Sequence, residues 1–462
     1  MARQETKKDA VIVGLGWTGA ILGMELASEG LEVLALERGP DRRTVPEMRY
    51  PQMIDELSQG ERHKMMLRPA QSTVTFRRNL SETALPIRKW GSFLLGNGVG
   101  GSGVHWNGQN WRPQPEELRL RSYITERWDA GIIPEDMTIA DYPVTYDELE
   151  PFFDRFERVA GISGIAGNIR GEIRDGGNPY EGWRSRDYPM PPLPMTWNGV
   201  KFAEAAKAMG YHPFPRPGGN ASTSYVNEYG MQMGACNFCG FCERYGCYQY
   251  SKSSPQTTIL AALFRKPNFS YRTGAEVLRV EMATDGRTAT GVTYYDEAAG
   301  EEVFQPADLV ILAAYQIENV RLMLLSGIGQ PYDPATGEGV TGKNYGYQIT
   351  GSTSLFFRNE HFNPFVGSGI NGMCIDDFGM NAIDFGAEGF IGGAYISSAQ
   401  TNGQPIRNMP LPEGTPEWGA RWKAAIAEWY GHEMNISHHG SVMSYRDHYC
   451  DLDPTYRDRH GR

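Results

Sequence analysis

The chain has 462 residues, too many for one compact core, which sets an expectation of two or three domains. Hydrophobic residues make up 40%, aromatic residues 11% and charged residues 21%, proportions that exclude a disordered chain. A formal net charge of −11 argues against a nucleic-acid partner, whose phosphates call for a basic surface. No run approaches the roughly 20 apolar residues that cross a bilayer, and residues 1–9 lack the apolar centre of a secretory signal.

In chain order, residues 10–13 are a short apolar strand run, followed by Gly14-Leu15-Gly16-Trp17-Thr18-Gly19, a helix expected over 20–28 and a second strand over 31–37. Strand, glycine turn, helix and parallel strand make the βαβ unit that opens a dinucleotide-binding fold. In that setting the missing side chains of Gly14, Gly16 and Gly19 let the backbone turn tightly and approach a pyrophosphate at the helix N-terminus. Glu37, at the end of the second strand, supplies a carboxylate for ribose hydroxyls and would repel the ribose phosphate of NADP.

Residues 40–95 show no clear period. Residues 96–108 (Gly-Asn-Gly-Val-Gly-Gly-Ser-Gly-Val-His-Trp-Asn-Gly) are too rich in glycine for a strand and too apolar for a surface linker. Helices are expected over 146–159 and 200–209, separated by a proline- and glycine-rich stretch at 178–194, as an excursion away from the first domain.

Of six cysteines, Cys236, Cys239, Cys242 and Cys247 crowd into twelve positions, while Cys374 and Cys450 stand alone and read as buried thiols. Soft thiolates two residues apart can converge on one metal centre, and the spacing is close to the bacterial ferredoxin pattern with one extra residue before the last cysteine. An iron–sulfur cluster is the favoured reading. Zinc comes second, because structural zinc sites set two Cys-x-x-Cys pairs about 15–20 residues apart. Disulfides come third, because loops this short would strain two bridges. Phe238, Phe241, Tyr245, Tyr248 and Tyr250 read equally as a shield for the cluster or as ordinary core aromatics.

After the cysteines, a helix is expected over 257–264, strands over 269–273 and 276–282, and a hairpin from 291–296 and 302–304. The apolar run 309–314 suits a central strand returning to the first sheet. Beyond it, 350–357 and 385–395 read as β-rich and 418–429 as a helix. His438 and His439, adjacent on a strand, would face opposite ways and are read as structural, or at most as lining a site. The expected class is α/β mixed with α+β: a Rossmann-like cofactor domain (1–112 and 256–345) and a discontinuous substrate domain on an antiparallel sheet (113–225 and 346–462), with the cysteine loop at 226–255.

The loop 96–108 resembles the flavin-contacting loop of the glucose–methanol–choline (GMC) family of flavoprotein oxidoreductases. Ser326-Gly-Ile-Gly329 resembles that family's second signature, with Glu318-Asn319 standing where a Thr-Pro-like pair is usual, and Gly342-Lys-Asn344 resembles the segment that follows. The resemblance spans about residues 11–456. It implies an FAD cofactor touched by Gly100, Gly101 and Ser102, with Asn107 and Val277 also on the cofactor. His105, within Val99-Gly-Gly-Ser-Gly-Val-His-Trp106, is similar to a histidine that bonds covalently to the flavin in pyranose-oxidase-like and gluconate-dehydrogenase-like members. A covalent bond and a plain hydrogen-bonding histidine both stay open.

A cysteine cluster in this part of the chain resembles the large subunits of bacterial gluconate, fructose and glucose dehydrogenases. These pass electrons from FAD through a 3Fe-4S cluster on three cysteines, which would leave one of the four here as a spectator. The implied activity is oxidation of a CH–OH group of a sugar, a gluconate-like sugar acid or an alcohol, with electrons leaving through the cluster to a cytochrome-type acceptor. The alternatives are an electron-transfer or assembly subunit without turnover and a pyranose-oxidase-like enzyme with a structural zinc. The implied partners are a small subunit with a twin-arginine export signal and a multihaem cytochrome c, which would bring the chain to the periplasm; a cytoplasmic location is the alternative. The family's catalytic histidine and the segment after it have no match before Arg462, so the catalytic base is expected outside this sequence, and His460, in a charged tail, is a poor substitute.

Overall fold

The computed structural model describes residues 3–45, 47–48, 65–67, 74–77, 79, 81–87, 95–400 and 409–462; much of the aperiodic stretch 40–95 lies outside them. Strand β1 (Lys8–Val13), helix α1 (Trp17–Ser28) and strand β2 (Val33–Glu37) form the first unit. Residues 10–13 and all of β2 are buried, as a strand covered on both faces requires. The helix begins three residues earlier than expected, because Gly16 is its N-cap and Trp17 already turns in to pack edge-on against Phe156 and Trp106. The long excursion supplies α2 (Tyr146–Ala160), closed at its start by a Thr145–Glu148 capping box and at its end by the left-handed Gly161, then α3 (Trp197–Ala208) and the short β3 (Phe214–Pro215).

The chain then returns through β4 (Phe269–Thr273), β5 (Ala275–Met282), β6 (Ala289–Asp296), β7 (Glu301–Leu312) and α4 (Gln316–Leu325). The first sheet has the order β4-β2-β1-β7-β6-β5. Its first four strands run parallel and the last three are joined antiparallel. Strands from both ends of the sequence thus build one cofactor sheet, and its apolar face closes on α1 through Ile12, Ala20, Met24, Leu263 and Phe269.

Two expectations change. The hairpin arm at 302–304 and the separate strand at 309–314 are one strand, β7, with Pro306 between them. Pro306 is the last residue opposite β6, and Ala307 is the first opposite β1. A residue without an N–H costs least where a strand changes partners. The helix at 257–264 is two short turns, Pro255–Thr258 and Leu260–Leu263, broken at Ile259 (φ −135°).

The second sheet is built from β3, β8 (Gln348–Phe356), β9 (Gly372–Ile375), β10 (Ala394–Ala399) and β11 (Glu433–Ser441), in the order β8-β11-β10-β9-β3, with all its pairings antiparallel. The β-rich stretch expected at 385–395 is a helical turn (Phe385–Glu388) leading into β10, and α5 (Gly419–Trp429) follows. Among the described residues no helix is long and apolar enough to cross a membrane.

Candidate active site: a dinucleotide cleft joined to a cysteine loop

The cleft lies at the C-terminal ends of β1, β2 and β7, with Gly16, Glu37, Gly101, Ser102, Val277 and Tyr315 among its walls. The three glycines after β1 act in three ways. Gly14 sits at φ +97°, and a Cβ there would stand 2.6 Å from the carbonyl oxygen of Ala313 at the end of β7. At Gly19 a Cβ would come within 2.1 Å of the Gly14 oxygen, so this glycine lets the helix close on the turn. At Gly16 a Cβ would meet nothing nearer than 3.9 Å, although the residue lines the cleft. The open space over Gly16, at the positive end of α1, is what a pyrophosphate needs.

The Glu37 carboxylate accepts hydrogen bonds from Leu15 N (3.1 Å) and Gly39 N (2.9 Å), one on each oxygen. These hold it rigid on the cleft wall while each oxygen keeps a second lone pair for a ribose hydroxyl.

The second glycine loop is pinned to the first by Gly100 N donating to Leu15 O (2.7 Å). Ser102 reaches back to accept from Gly96 N (2.9 Å), which closes the loop on itself. Gly100 lies behind the wall, against Gln256. Asn107 does not line the cleft; its Oδ1 accepts from Gln109 N (3.0 Å) and shapes the exit from the loop. His105 is also behind the wall, only 2% exposed, and its Nε2 has no hydrogen-bond partner among the described residues. Burial, then the neighbouring charge of Lys252, pull the imidazole down to about 4, so it is a neutral ring at physiological pH.

The cysteine loop is bound directly to this flavin-loop motif. Arg244 N donates to His105 O (2.7 Å). Lys252, fully buried, donates from Nζ to Trp106 O (2.6 Å), Cys242 O (2.7 Å) and Tyr245 O (2.7 Å), so one ammonium spends its three protons tying the two motifs together. Three of the seven non-glycine residues with positive φ among those described, Phe238, Arg244 and Tyr250, fall in or beside this loop. Strain concentrated in this way marks a loop held in shape for a purpose.

All six cysteines are free thiols. Burial pushes Cys236 up to about 12 and Cys239 up to about 11, and the neighbouring thiols push the same way, so these sulfurs ionise only when a cation takes up their charge. Backbone and side-chain N–H groups already point at three of them: Phe238 N at Cys236 (3.4 Å), Asn220 Nδ2 at Cys242 (3.5 Å) and Lys252 N at Cys247 (3.4 Å). Among the described residues no set of three or more Cys, His, Asp or Glu side chains is spaced to hold a single metal ion. Cys374 is buried as expected, whereas Cys450 is only partly so.

A profile of the family described as GMC oxidoreductase matches residues 202–346. The gluconate 2-dehydrogenase flavoprotein of Pantoea cypripedii is 50% identical to this chain over 466 residues, covering 100% of it and 76% of that protein. The chain belongs to the GMC oxidoreductase family. It is therefore an FAD-dependent oxidoreductase acting on CH–OH donors. The fructose dehydrogenase large subunit of Gluconobacter japonicus is a more distant GMC relative, 24% identical over 74% of this chain and 59% of its own length. Among solved structures, pyridoxine 4-oxidase from Mesorbium loti shares the fold with a TM-score of 0.52 at 16% identity, over 98% of this chain and 78% of that one.

The cleft fits the cofactor that the GMC family implies: open space at Gly16 beside a helix N-terminus, a fixed carboxylate at Glu37, and glycine backbone at Gly101 facing Gly16. Two features of the site were not foreseen from the sequence. Tyr315, at φ +81°, is a strained N-cap of α4, and Asn319 holds that turn by accepting from Ala314 N (2.8 Å). Lys252 sits in a short polar run, Ser251-Lys-Ser-Ser254, that carries no pattern to betray a buried ammonium. His460, expected in a charged tail, is folded against Glu276 (3.2 Å), which lines the cleft.

Proposed function

We propose that this chain is the flavin-bearing large subunit of a dehydrogenase that oxidises a gluconate-like sugar acid and passes the electrons through an iron–sulfur cluster, on ligands drawn from Cys236, Cys239, Cys242 and Cys247, to a cytochrome-type acceptor. The observation that carries the reading is the direct link between the flavin loop and the cysteine loop through Arg244 and Lys252. FAD, when bound, supplies the hydride acceptor for the carbinol carbon. Gly14, Gly16, Gly19, Glu37, Gly101 and Ser102 hold and orient it; a covalent bond at His105 needs its ring, which lies behind the wall, to turn towards the cleft.

The donor set at the cysteine loop favours a cluster over zinc. Four cysteines within twelve residues are closer to the ferredoxin spacing than to the two distant Cys-x-x-Cys pairs of a structural zinc. N–H bonds to the sulfurs, as at Cys236, Cys242 and Cys247, are what tunes a cluster. A 3Fe-4S cluster on three of the four cysteines fits this pattern. The substrate reading is supported by the Pantoea cypripedii relative, a gluconate 2-dehydrogenase flavoprotein. The relative from Gluconobacter japonicus is a large subunit, which supports partner subunits for this chain; we take them to be a small exported subunit and a multihaem cytochrome c. A periplasmic location follows from that reading.

The test is to purify the protein anaerobically, measure iron and sulfide, precipitate it with acid and look for yellow colour in the pellet, then add D-gluconate and follow flavin bleaching. Iron and sulfide in cluster proportion, a yellow pellet and bleaching support the reading. Zinc in place of iron removes the electron path, flavin lost to the supernatant removes the bond at His105, and flavin that gluconate does not bleach leaves an electron carrier without turnover.

A further inference from the structure

Away from the flavin cleft, the second sheet carries a cavity of about 240 Å³ whose walls include Trp111, Gln114, Asp376, Tyr395 and His439. It is joined to the flavin loop by the chain itself, since Gln109 and Trp111 directly follow residues 96–108. The Trp111 and Tyr395 rings lie 4.6 Å apart at 31° and form an aromatic wall. Tyr395 on β10 faces His439 on β11 across the strand pair.

The hydrogen bonds in this wall can be ordered starting from the Trp111 N–H. The Trp111 indole N–H can only donate, and it points at Gln109 Oε1 (3.3 Å), which fixes that atom as the amide oxygen. Tyr395 OH is 2.9 Å from the same oxygen and must donate its one proton there. It is also 2.6 Å from His439 Nδ1, and with its proton spent it can only accept, so Nδ1 carries the hydrogen. A neutral His439 then has a bare Nε2. Desolvation, the buried Arg216 guanidinium and His438 all hold its pKa down, so the ring stays neutral.

The opposite wall is acidic. Both side-chain hydrogen bonds that Asp376 accepts among the described residues, from Gln114 Nε2 (3.1 Å) and Asn178 Nδ2 (2.9 Å), fall on Oδ2. Glu117 also lines the cavity. Among the described lining residues the cation is Arg112, which is spent on Glu157 and Glu150 (2.9 and 3.2 Å); Arg216, whose Nε and Nη1 are unpartnered among the described residues, lies behind the wall without lining it and acts on His439 from there. An acceptor-rich cavity with an aromatic side and no unpaired cation in its described lining suits hydroxyl donors better than a carboxylate.

We propose that this cavity is a polyol subsite which takes the neutral, hydroxylated end of the substrate, with His439 Nε2 and Asp376 Oδ1 accepting hydrogen bonds from its hydroxyls. This deepens the sugar-acid reading above by naming the part of the molecule that binds here. Gln109, Trp111 and Tyr395 are positioning residues that act through the histidine's tautomer.

The test is direct binding of D-sorbitol, which carries hydroxyls and no carboxylate, to the full chain, read by calorimetry. The wild type is expected to bind sorbitol. Loss of one hydrogen bond in His439→Phe should weaken it about tenfold, whereas His439→Gln, which keeps an acceptor, should stay within about threefold. Tyr395→Phe, which frees the tautomer but keeps the ring, should fall between the two and serves if His439→Phe does not fold. Absence of sorbitol binding to the wild type, or equal affinity in wild type, His439→Phe and Tyr395→Phe, overturns the proposal. Flavin content is measured on the same samples; flavin-free protein that still binds sorbitol would sink the flavin reading and leave the subsite standing.

Discussion

Replacing Lys252 by Met keeps most of the volume of the side chain and removes one ammonium. Three carbonyl oxygens, on Trp106, Cys242 and Tyr245, lose donors at 2.6 to 2.7 Å in a place water does not reach. Hydrogen bonds from a charged group contribute about 1.5–3 kcal/mol each. Against their sum stands the desolvation of a buried ammonium, several kcal/mol, which the variant is spared. The balance is a loss of about 3 kcal/mol, or roughly a hundredfold in the opening equilibrium of the cysteine loop. Because the cage is local, the loss should appear as sub-global opening. Native-state hydrogen exchange reads it at two amides: Arg244 N, bonded to His105 O, and Cys236 N, bonded to Ala221 O. Protection at both should fall about a hundredfold, while amides of β1 and β2 keep theirs. Protection of Arg244 unchanged within threefold would refute the argument that Lys252 ties the flavin loop to the cysteine loop.

Gly14→Ala should destabilise the fold by more than about 2 kcal/mol, from strained φ and a clash with Ala313 O, seen as a lower urea midpoint. Gly16→Ala meets no protein atom closer than 3.9 Å and should leave the urea midpoint within about 0.5 kcal/mol of wild type while flavin content drops, because the methyl enters the space for the pyrophosphate. For His105, a folded pKa of about 4 against an ordinary 6.5 means that the unfolded chain holds the proton more tightly. The stability from keeping the ring neutral, about 3 kcal/mol, is complete above pH 6.5 and lost as pH falls to 4. Acid titration of flavin-free protein should show this loss and His105→Asn should not; matching curves would contradict the assignment. Cys242→Ser should lower bound iron, whereas Cys374→Ser, in the second sheet, should not; elemental analysis of the two variants decides it.

The cofactor half of the molecule was legible in the sequence because its constraints are local. A βαβ unit needs an apolar strand, glycines at fixed offsets and an acid at the end of the next strand, all within the first 37 residues, and each element forms where that pattern puts it. The cysteine spacing is local in the same sense. Whether sulfurs two residues apart can meet depends mainly on the loop between them. The runs around 302–314 were harder to read, because hydrophobicity marks a strand but does not say that one strand serves two partners; Pro306 carries that information only when β6 and β1 are seen on either side of it. Asn107 and Gly100 lie in a loop whose sequence points to the cofactor as a whole, and only packing against Gln256 and the turn to Gln109 turns these two away from the cleft wall.

Contacts between distant residues were decided by the tertiary structure alone. Nothing near Lys252 in the sequence announces a buried ammonium, since its three acceptors come from two segments up to 146 residues away. His439 carries a defined tautomer only because Trp111, Gln109 and Tyr395 are brought beside it from other strands and loops. Such sites rest on hydrogen bonds whose direction is fixed by every member at once, and a linear pattern records the members without recording which of them meet.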